Sequence, residues 1–191
     1  MATRSPTAGS SSSPPARLGR RFFDRPARVL ARALLGTRLR VRGPDGPRSV
    51  EIVESEAYVR GDPASHAFRG PTRRNGAMFG PPGTLYLFRI HQVDCANVVA
   101  RRGEAVLIRA GRSPAASPAT TSGPGRLARF LGLGLADDGR DLARDARVAL
   151  FGRRRRPARI RVGRRIGIRQ GAERPLRFWI AGEPAVTPPR A

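Results

Sequence analysis

The sequence predicts a single mixed α/β domain of the α+β kind, and three observations predict it. The chain has 191 residues, 39% of them hydrophobic, enough for one buried core and too few for two independent ones. Apolar residues recur at helical spacing in some segments and alternate in others. The 22 glycines and 18 prolines cut the chain into short pieces joined by turns, with helix and strand patterns interleaved and no internal repeat.

The elements follow in chain order. Residues 1–19 are rich in Ser, Pro and Arg and lack the apolar run of a secretory signal, which predicts a disordered basic leader ahead of a domain over 20–187. Order is expected to begin near Phe22-Phe23. Asp24 and Pro26 suit the start of a helix whose apolar stripe is Val29, Leu30, Ala33 and Leu34 and whose end is Gly36. Thr37 to Val41 and Arg48 to Tyr58 read as strands around the turn Gly43-Pro44-Asp45-Gly46-Pro47. From Gly61 to Gly83 periodicity fades, predicting a long surface loop held by Met78 and Phe79; a loop of that length in a small domain usually carries function. Thr84 to Ile90, a short piece at Asn97 to Ala100, and Glu104 to Ala110 are strand candidates. A loop over Arg112 to Gly123 precedes a helix near Pro124 to Leu133, and Asp141 to Phe151 reads as a small helix or irregular chain. The run Arg153 to Arg156 reads as a solvated face. Arg159 to Ile168 and Pro175 to Ile180 are final strands, and 188–191 a frayed tail.

Charge narrows the partners. The 37 basic residues are all arginine and face 14 acids, a formal net charge of +23, a field that draws in polyanions, nucleic acid foremost. The absence of lysine is also what a GC-rich coding background produces. No long apolar segment or basic amphipathic helix points to a membrane. The lone Cys95 excludes an intrachain disulfide and a cysteine-rich zinc site. A reducing compartment fits, the cytoplasm and its nucleoid in a bacterium, the nucleus or an organelle in a eukaryote.

Within the second strand, Val50-Glu51-Ile52-Val53-Glu54-Ser55-Glu56-Ala57-Tyr58 places a carboxylate and an aromatic at a strand end feeding a Gly- and Arg-rich loop. Strict alternation carries Glu54 and Glu56 to the side of Val50 and Ile52, and Glu51, Val53 and Ser55 to the other. A carboxylate beside a core face is either a paired structural acid or a working one, because its desolvation must be offset.

Several blocks in series resemble a known family. Glu54-Ser55-Glu56-Ala57-Tyr58, Ala64-Ser65-His66-Ala67-Phe68, Thr72-Arg73-Arg74-Asn75-Gly76-Ala77-Met78-Phe79 and Pro82-Gly83-Thr84-Leu85-Tyr86 are similar to the alkyladenine (3-methyladenine) DNA glycosylases. So are Asn97-Val98-Val99, Val106-Leu107-Ile108-Arg109-Ala110, Ser122-Gly123-Pro124-Gly125-Arg126-Leu127, Arg165-Ile166-Gly167-Ile168 and Pro175-Leu176-Arg177-Phe178. The resemblance runs from about residue 22 to 187. It implies one domain with a curved antiparallel sheet flanked by helices, like the C-terminal domain of formyltransferases. It implies a monomeric, monofunctional enzyme with no cofactor and no metal that flips alkylated or deaminated purines out of double-stranded DNA. The released bases would be 3-methyladenine, 7-methylguanine, hypoxanthine or ethenoadenine.

Residue by residue, the resemblance makes Glu56 the general base for the attacking water and Arg109 the arginine that holds water and carboxylate. Tyr58 and Phe88 stack on the two faces of the flipped base, His66 lies against it and bonds its edge through the main chain, and Asn97 disfavours the guanine amine. Arg74 and Asn75 position the DNA backbone. His91 stands where the family has an intercalating tyrosine. Taken alone, each has a plainer reading: Glu56 an arginine-paired acid, Arg109 a strand-end charge, His66 a polar surface group, Asn97 a strand-end cap.

The chain departs from the family pattern twice. Between Tyr86 and Asn97 it has one residue fewer, with His91-Gln92 in place of Tyr-Gly, which reduces the area inserted into the base stack. After Arg109 it crosses to the Ser-Gly-Pro block through only Gly111 to Thr121. These departures keep two alternatives in play: a noncatalytic DNA-binding relative of the same fold, favoured by His91, and an RNA-binding basic protein, supported by charge alone.

Overall fold

Residues 15–188 are described by the structure, a computed structural model of the chain. Eight strands form one sheet, β1 (Arg38–Gly43), β2 (Gly46–Tyr58), β3 (Leu85–Ile90), β4 (Val93–Val99), β5 (Ala105–Arg112), β6 (Val148–Phe151), β7 (Ile160–Gly163) and β8 (Arg177–Ile180). Every pairing is antiparallel. The order is β3-β4-β5-β2-β1-β6, and β8, with β7 outside it, joins β2 alongside β1. The 13-residue β2 is long enough to pair with β1 through its first half and with β8 over Glu54 to Glu56. Helices α1 (Arg20–Phe23), α2 (Ala27–Leu34), α3 (Pro118–Thr121) and α4 (Pro124–Leu131) flank this curved sheet, and the mixed α+β architecture is the one expected.

The main core lies between α2, α4 and one sheet face. Leu30, Leu34, Ile52, Val98, Val106 and Ile108 are among its buried side chains. In α2 the buried stripe is Ala27, Leu30, Ala31 and Leu34, whereas Val29 is 49% exposed; the helix is rotated from the expected stripe so that Ala31 passes close to β2, where Ser55 Oγ donates to its carbonyl at 2.9 Å. Asp24 does not cap this helix. The Ala27 N–H at its start donates to Glu104 Oε2, 77 residues on, at 2.9 Å.

An irregularity in the middle of β2 overturns the alternation read from sequence. Ile52 pairs with Gly111 and Ser55 with Ile108, but between them Glu54 pairs with Ala110. Val53 and Arg109 are thus each an extra residue, and the register resumes unchanged beyond them. Such a bulge shifts which residues share a face. Val50 and Ile52 belong to the main core, and after the bulge Ala57 does too, with Ser55 facing α2. Val53 packs with Ala110 and Ala185 in a separate cluster. Glu54 and Glu56 therefore lie opposite Val50 and Ile52, not beside them. Gly111 permits the close approach at this point, since a Cβ there would sit 2.6 Å from the Val50 side chain.

Other boundaries moved for physical reasons. The segment 141–151 ends in β6, whose Val148-Ala149-Leu150-Phe151 completes the sheet edge along β1; a short apolar run does not distinguish strand from helix without its partner. β4 starts at Val93, four residues before the expected piece, because the hairpin from β3 is tight. Of the last two expected strands only 160–163 and 177–180 pair. Order begins before Phe22: Leu18 N–H donates to Leu150 O at 2.8 Å and the Arg17 guanidinium to Leu142 O at 2.8 Å and Asp145 O at 2.7 Å. Residues 1–14 of the expected leader and 189–191 of the expected tail lie outside the described residues.

The β3–β4 hairpin turns on His91-Gln92, between the paired Ile90 and Val93. Both turn residues have positive φ, 46° and 65°. Two-residue turns of this hand match sheet twist, but they favour Asn or Gly, and a Cβ in this region costs about 1–2 kcal/mol. Gln92→Gly is expected to relieve about 1 kcal/mol and raise Tm by about 2–4 °C; calorimetry of the two proteins checks it, and an unchanged or lowered Tm refutes the strain.

Candidate active site

Because the bulge turns them together, Glu54, Glu56 and Arg109 meet on the sheet face away from α2. Glu54 and Glu56 have no solvent exposure and Arg109 has 5%. The Arg109 guanidinium joins the acids: Nε donates to Glu54 Oε1 at 3.0 Å and Nη1 lies 3.3 Å from Glu56 Oε1. Glu54 has a second cation, Arg177 from β8, whose Nε donates to Oε1 at 2.7 Å, and its Oε2 accepts the Thr187 N–H at 2.7 Å. Glu56 is held differently. Its Oε1 accepts the Ile166 N–H at 2.8 Å and its Oε2 the Tyr58 hydroxyl at 3.2 Å.

This asymmetry sets the electrostatics. Burial drives the Glu56 carboxyl above its ordinary 4.5; Arg109 and the Ile166 N–H oppose the rise, and Glu54 adds to it. The Tyr58 phenol is pushed up by burial first and the Glu56 charge second. A carboxyl poised above its usual range is suited to taking a proton.

Above these groups opens a cavity of about 780 Å³ lined in part by Tyr58, His66, Phe88, Asn97, Arg109 and Ile166, a volume in the range of small-molecule sites. Glu56 lies beneath this lining, covered by the side chains and backbone it bonds. Also in the lining, His66 Nδ1 is 2.8 Å from the Tyr86 hydroxyl, and its ring makes a T-shaped contact with Phe88 at 4.4 Å between centroids. Burial, with Arg74 nearby, lowers the His66 pKa, so the imidazole is neutral at pH 7. Burial pushes the Tyr86 phenol up to about 12. The His66 main-chain N–H donates to no protein atom among the described residues. Asn97 is 3% exposed, its amide donating to Tyr86 O at 3.1 Å and Cys95 O at 3.3 Å.

His91 lines the cavity mouth from the hairpin tip, beside Ile90, which is 47% exposed. Arg74 is exposed on the loop over 61–83 and makes no ion pair among the described residues. Asn75 is not an exposed phosphate ligand. It is buried, its amide donating to His66 O at 2.7 Å and Gly70 O at 3.1 Å while its oxygen accepts the Thr72 N–H and hydroxyl. With its hydrogen-bonding groups engaged inside the loop, Asn75 fixes the segment that carries His66.

Sequence reasoning missed Glu54, Arg177, Ile166 and the buried Arg165–Asp62 pair as parts of this site. Glu54 had a signal, a second acid in an otherwise apolar strand two residues from Glu56. Arg177 and Arg165 stood inside blocks that resemble the family, but no local pattern gave either a role among 37 cations. Among the described residues no group of three or more His, Cys, Asp or Glu is gathered as metal ligands, and no helix is long and apolar enough to cross a membrane.

The sheet bulge thus buries an arginine-linked acid pair beneath an aromatic-walled cavity. The profile of the methylpurine-DNA glycosylases matches residues 21–184, and the chain belongs to that family of DNA glycosylases acting on alkylated purines. It is 42% identical over 183 residues, 89% of each chain, to a Rhizobium johnstonii protein provisionally named 3-methyladenine DNA glycosylase. Relatives with the same provisional name occur in Frankia casuarinae, 42% identical over 88% of this chain and 91% of that one, and in Streptomyces avermitilis, 39% identical over 91% and 92%.

The two acids should separate in stability. Glu54→Gln leaves Arg177 and Arg109 without their shared carboxylate inside the protein, and is expected to cost about 3–5 kcal/mol. Glu56→Gln removes a charge whose burial is unfavourable and should leave the denaturation midpoint at neutral pH unchanged or raised. Urea unfolding of both variants checks this; equal losses would refute the distinction.

Proposed function

We propose that the chain is a monofunctional DNA glycosylase that hydrolyses the N-glycosidic bond of alkylated or deaminated purines in double-stranded DNA. The observation that carries the reading is Glu56, buried with a raised pKa between Arg109 and the Ile166 N–H, directly under an aromatic-walled cavity.

In this reading the damaged purine turns out of the duplex and stacks between Tyr58 and Phe88, since every base offers a π-face. The unpaired His66 N–H donates to its edge, and Asn97 crowds the position of a guanine amine. Water held by Arg109 attacks C1′ as the bond from C1′ to the purine nitrogen breaks, its electron pair leaving with the base. Glu56 takes the water proton and stabilises the oxocarbenium-like state. An N-alkylated cation leaves as a neutral base, whereas a neutral deaminated purine must also gain a proton. With no lysine in the chain there is no side-chain amine for a Schiff base, so the product is an abasic site with the strand intact.

His91 enters the gap left by the flipped nucleotide, with Ile90 beside it, and Arg74 contacts the backbone near the cavity. The enzyme works as a monomer in the compartment that holds the DNA, the bacterial cytoplasm. A noncatalytic relative remains the competing reading because His91 fills the stack less than tyrosine would.

Base release from duplexes carrying hypoxanthine or ethenoadenine tests the reading. Glu56→Gln is expected to retain DNA binding and lose about 10²–10⁴-fold in rate. The raised Glu56 pKa means that the ionised base accumulates only as pH rises through a value above 4.5, so release should climb there and the variant should show no such limb. A folded, DNA-binding parent that releases no base would favour the noncatalytic relative.

A further inference from the structure

Behind Tyr58, on the side away from the cavity, lies a second cation. Arg165 is fully buried in its side chain and its Cζ sits 4.7 Å from the Tyr58 ring centre. Tyr58 lines the cavity and Arg165 does not. The guanidinium is locked: Nη1 donates to Ala57 O at 3.1 Å and pairs with Asp62 Oδ2, while Nη2 donates to Asp62 Oδ1 at 2.9 Å and Gly171 O at 3.3 Å. Its Nε is buried without an acceptor.

We propose that Arg165, acting through the Tyr58 ring, biases the cavity toward neutral purines over cationic ones; this rests on the glycosylase reading above. An aromatic face ordinarily attracts a cation through its quadrupole. Here the ring's electron density is already engaged from behind, and a purine stacked in front meets the guanidinium charge across one ring thickness. At such separations unit charges inside a protein still interact by more than thermal energy. Asp62 grips the Nη edge, so it is the cation of the pair that stacks on Tyr58, and Arg165 is the one of the two whose charge acts on the Tyr58 phenol. N-alkylation at purine N3 or N7 leaves the base of the nucleotide formally positive, whereas hypoxanthine and ethenoadenine are neutral. Cationic lesions therefore lose the attraction that an unbacked tyrosine would offer, and neutral lesions lose little.

Arg165 is a positioning residue, and it also fixes Ile166, whose N–H holds Glu56. A purely structural role would change release of all bases together. The discriminating quantity is thus the ratio of kcat/KM for 7-methylguanine to that for hypoxanthine, measured on matched duplexes. The double variant Arg165→Gln with Asp62→Asn removes both charges without leaving one unpaired, and should raise this ratio by about tenfold. Arg165→Lys keeps the positive charge and should stay within about threefold of the parent. Independently of any variant, a permanently cationic N-methylated purinium should inhibit the unaltered protein about tenfold more weakly than its neutral isostere. An unchanged ratio in a folded double variant, or equal inhibition by the two bases, overturns the role of Arg165 and leaves the glycosylase standing. A parent that releases neither base overturns the glycosylase reading itself, and this proposal with it.

Discussion

Two carboxylates two residues apart on one strand, both without solvent, need cations in the same buried layer, and this requirement organises the molecule. Glu54 and Glu56 are matched by Arg109 from β5 and Arg177 from β8. An unpaired buried charge would cost several kcal/mol, so neither strand can leave without unbalancing the other. The same network draws in Thr187 near the end of the described chain. The sheet is therefore held at its centre by charges that lie beneath the cavity, with Arg109 reaching its lining, and fold and site are stabilised together.

Electrostatic scarcity extends this outward. Each of the 14 acids has an intramolecular partner, most of them arginine. Glu104 accepts from the Ala27 and Arg60 N–H groups, and Asp138 from that of Leu87. Exposed pairs among these add little stability, but no acid is left to neutralise the remaining arginines. The surface stays positive while the interior is balanced, as a protein that meets a phosphate backbone requires. Inside, the loop over 61–83 is pinned by Asn75 and by Asp62 on Arg165, so the cavity wall bearing His66 is tied by hydrogen bonds although it has little regular structure.

The β3–β4 hairpin closes on a two-residue turn. The strands close on His91-Gln92 with both residues at positive φ, and the Arg89–Asp94 pair at 2.7 Å ties the strands just below. The tip brings His91 to the cavity mouth. The neighbouring exposed Ile90 adds apolar surface at the same edge.

Much of the fold and site was legible in the chain. The Gly43–Gly46 turn, the helix beginning at Pro124 and the adjacency of Glu56 and Tyr58 are local patterns, and local patterns survive folding. The family blocks named the remaining cavity residues, and the structure brings Tyr58, His66, Phe88, Asn97 and Arg109 around one cavity with Glu56 beneath it. Asn75 was misread because its partners, His66 O and Gly70 O, are backbone atoms with no signature of their own. The face on which Glu56 lies was also beyond the sequence. Side-chain alternation is a property of one strand, but a bulge is a property of two, and the extra residue at Val53 is matched by Arg109 of β5, far along the chain. Only the paired strands, with Arg109 needing both acids on its own side, decided that the carboxylates leave the apolar core for the layer beneath the cavity.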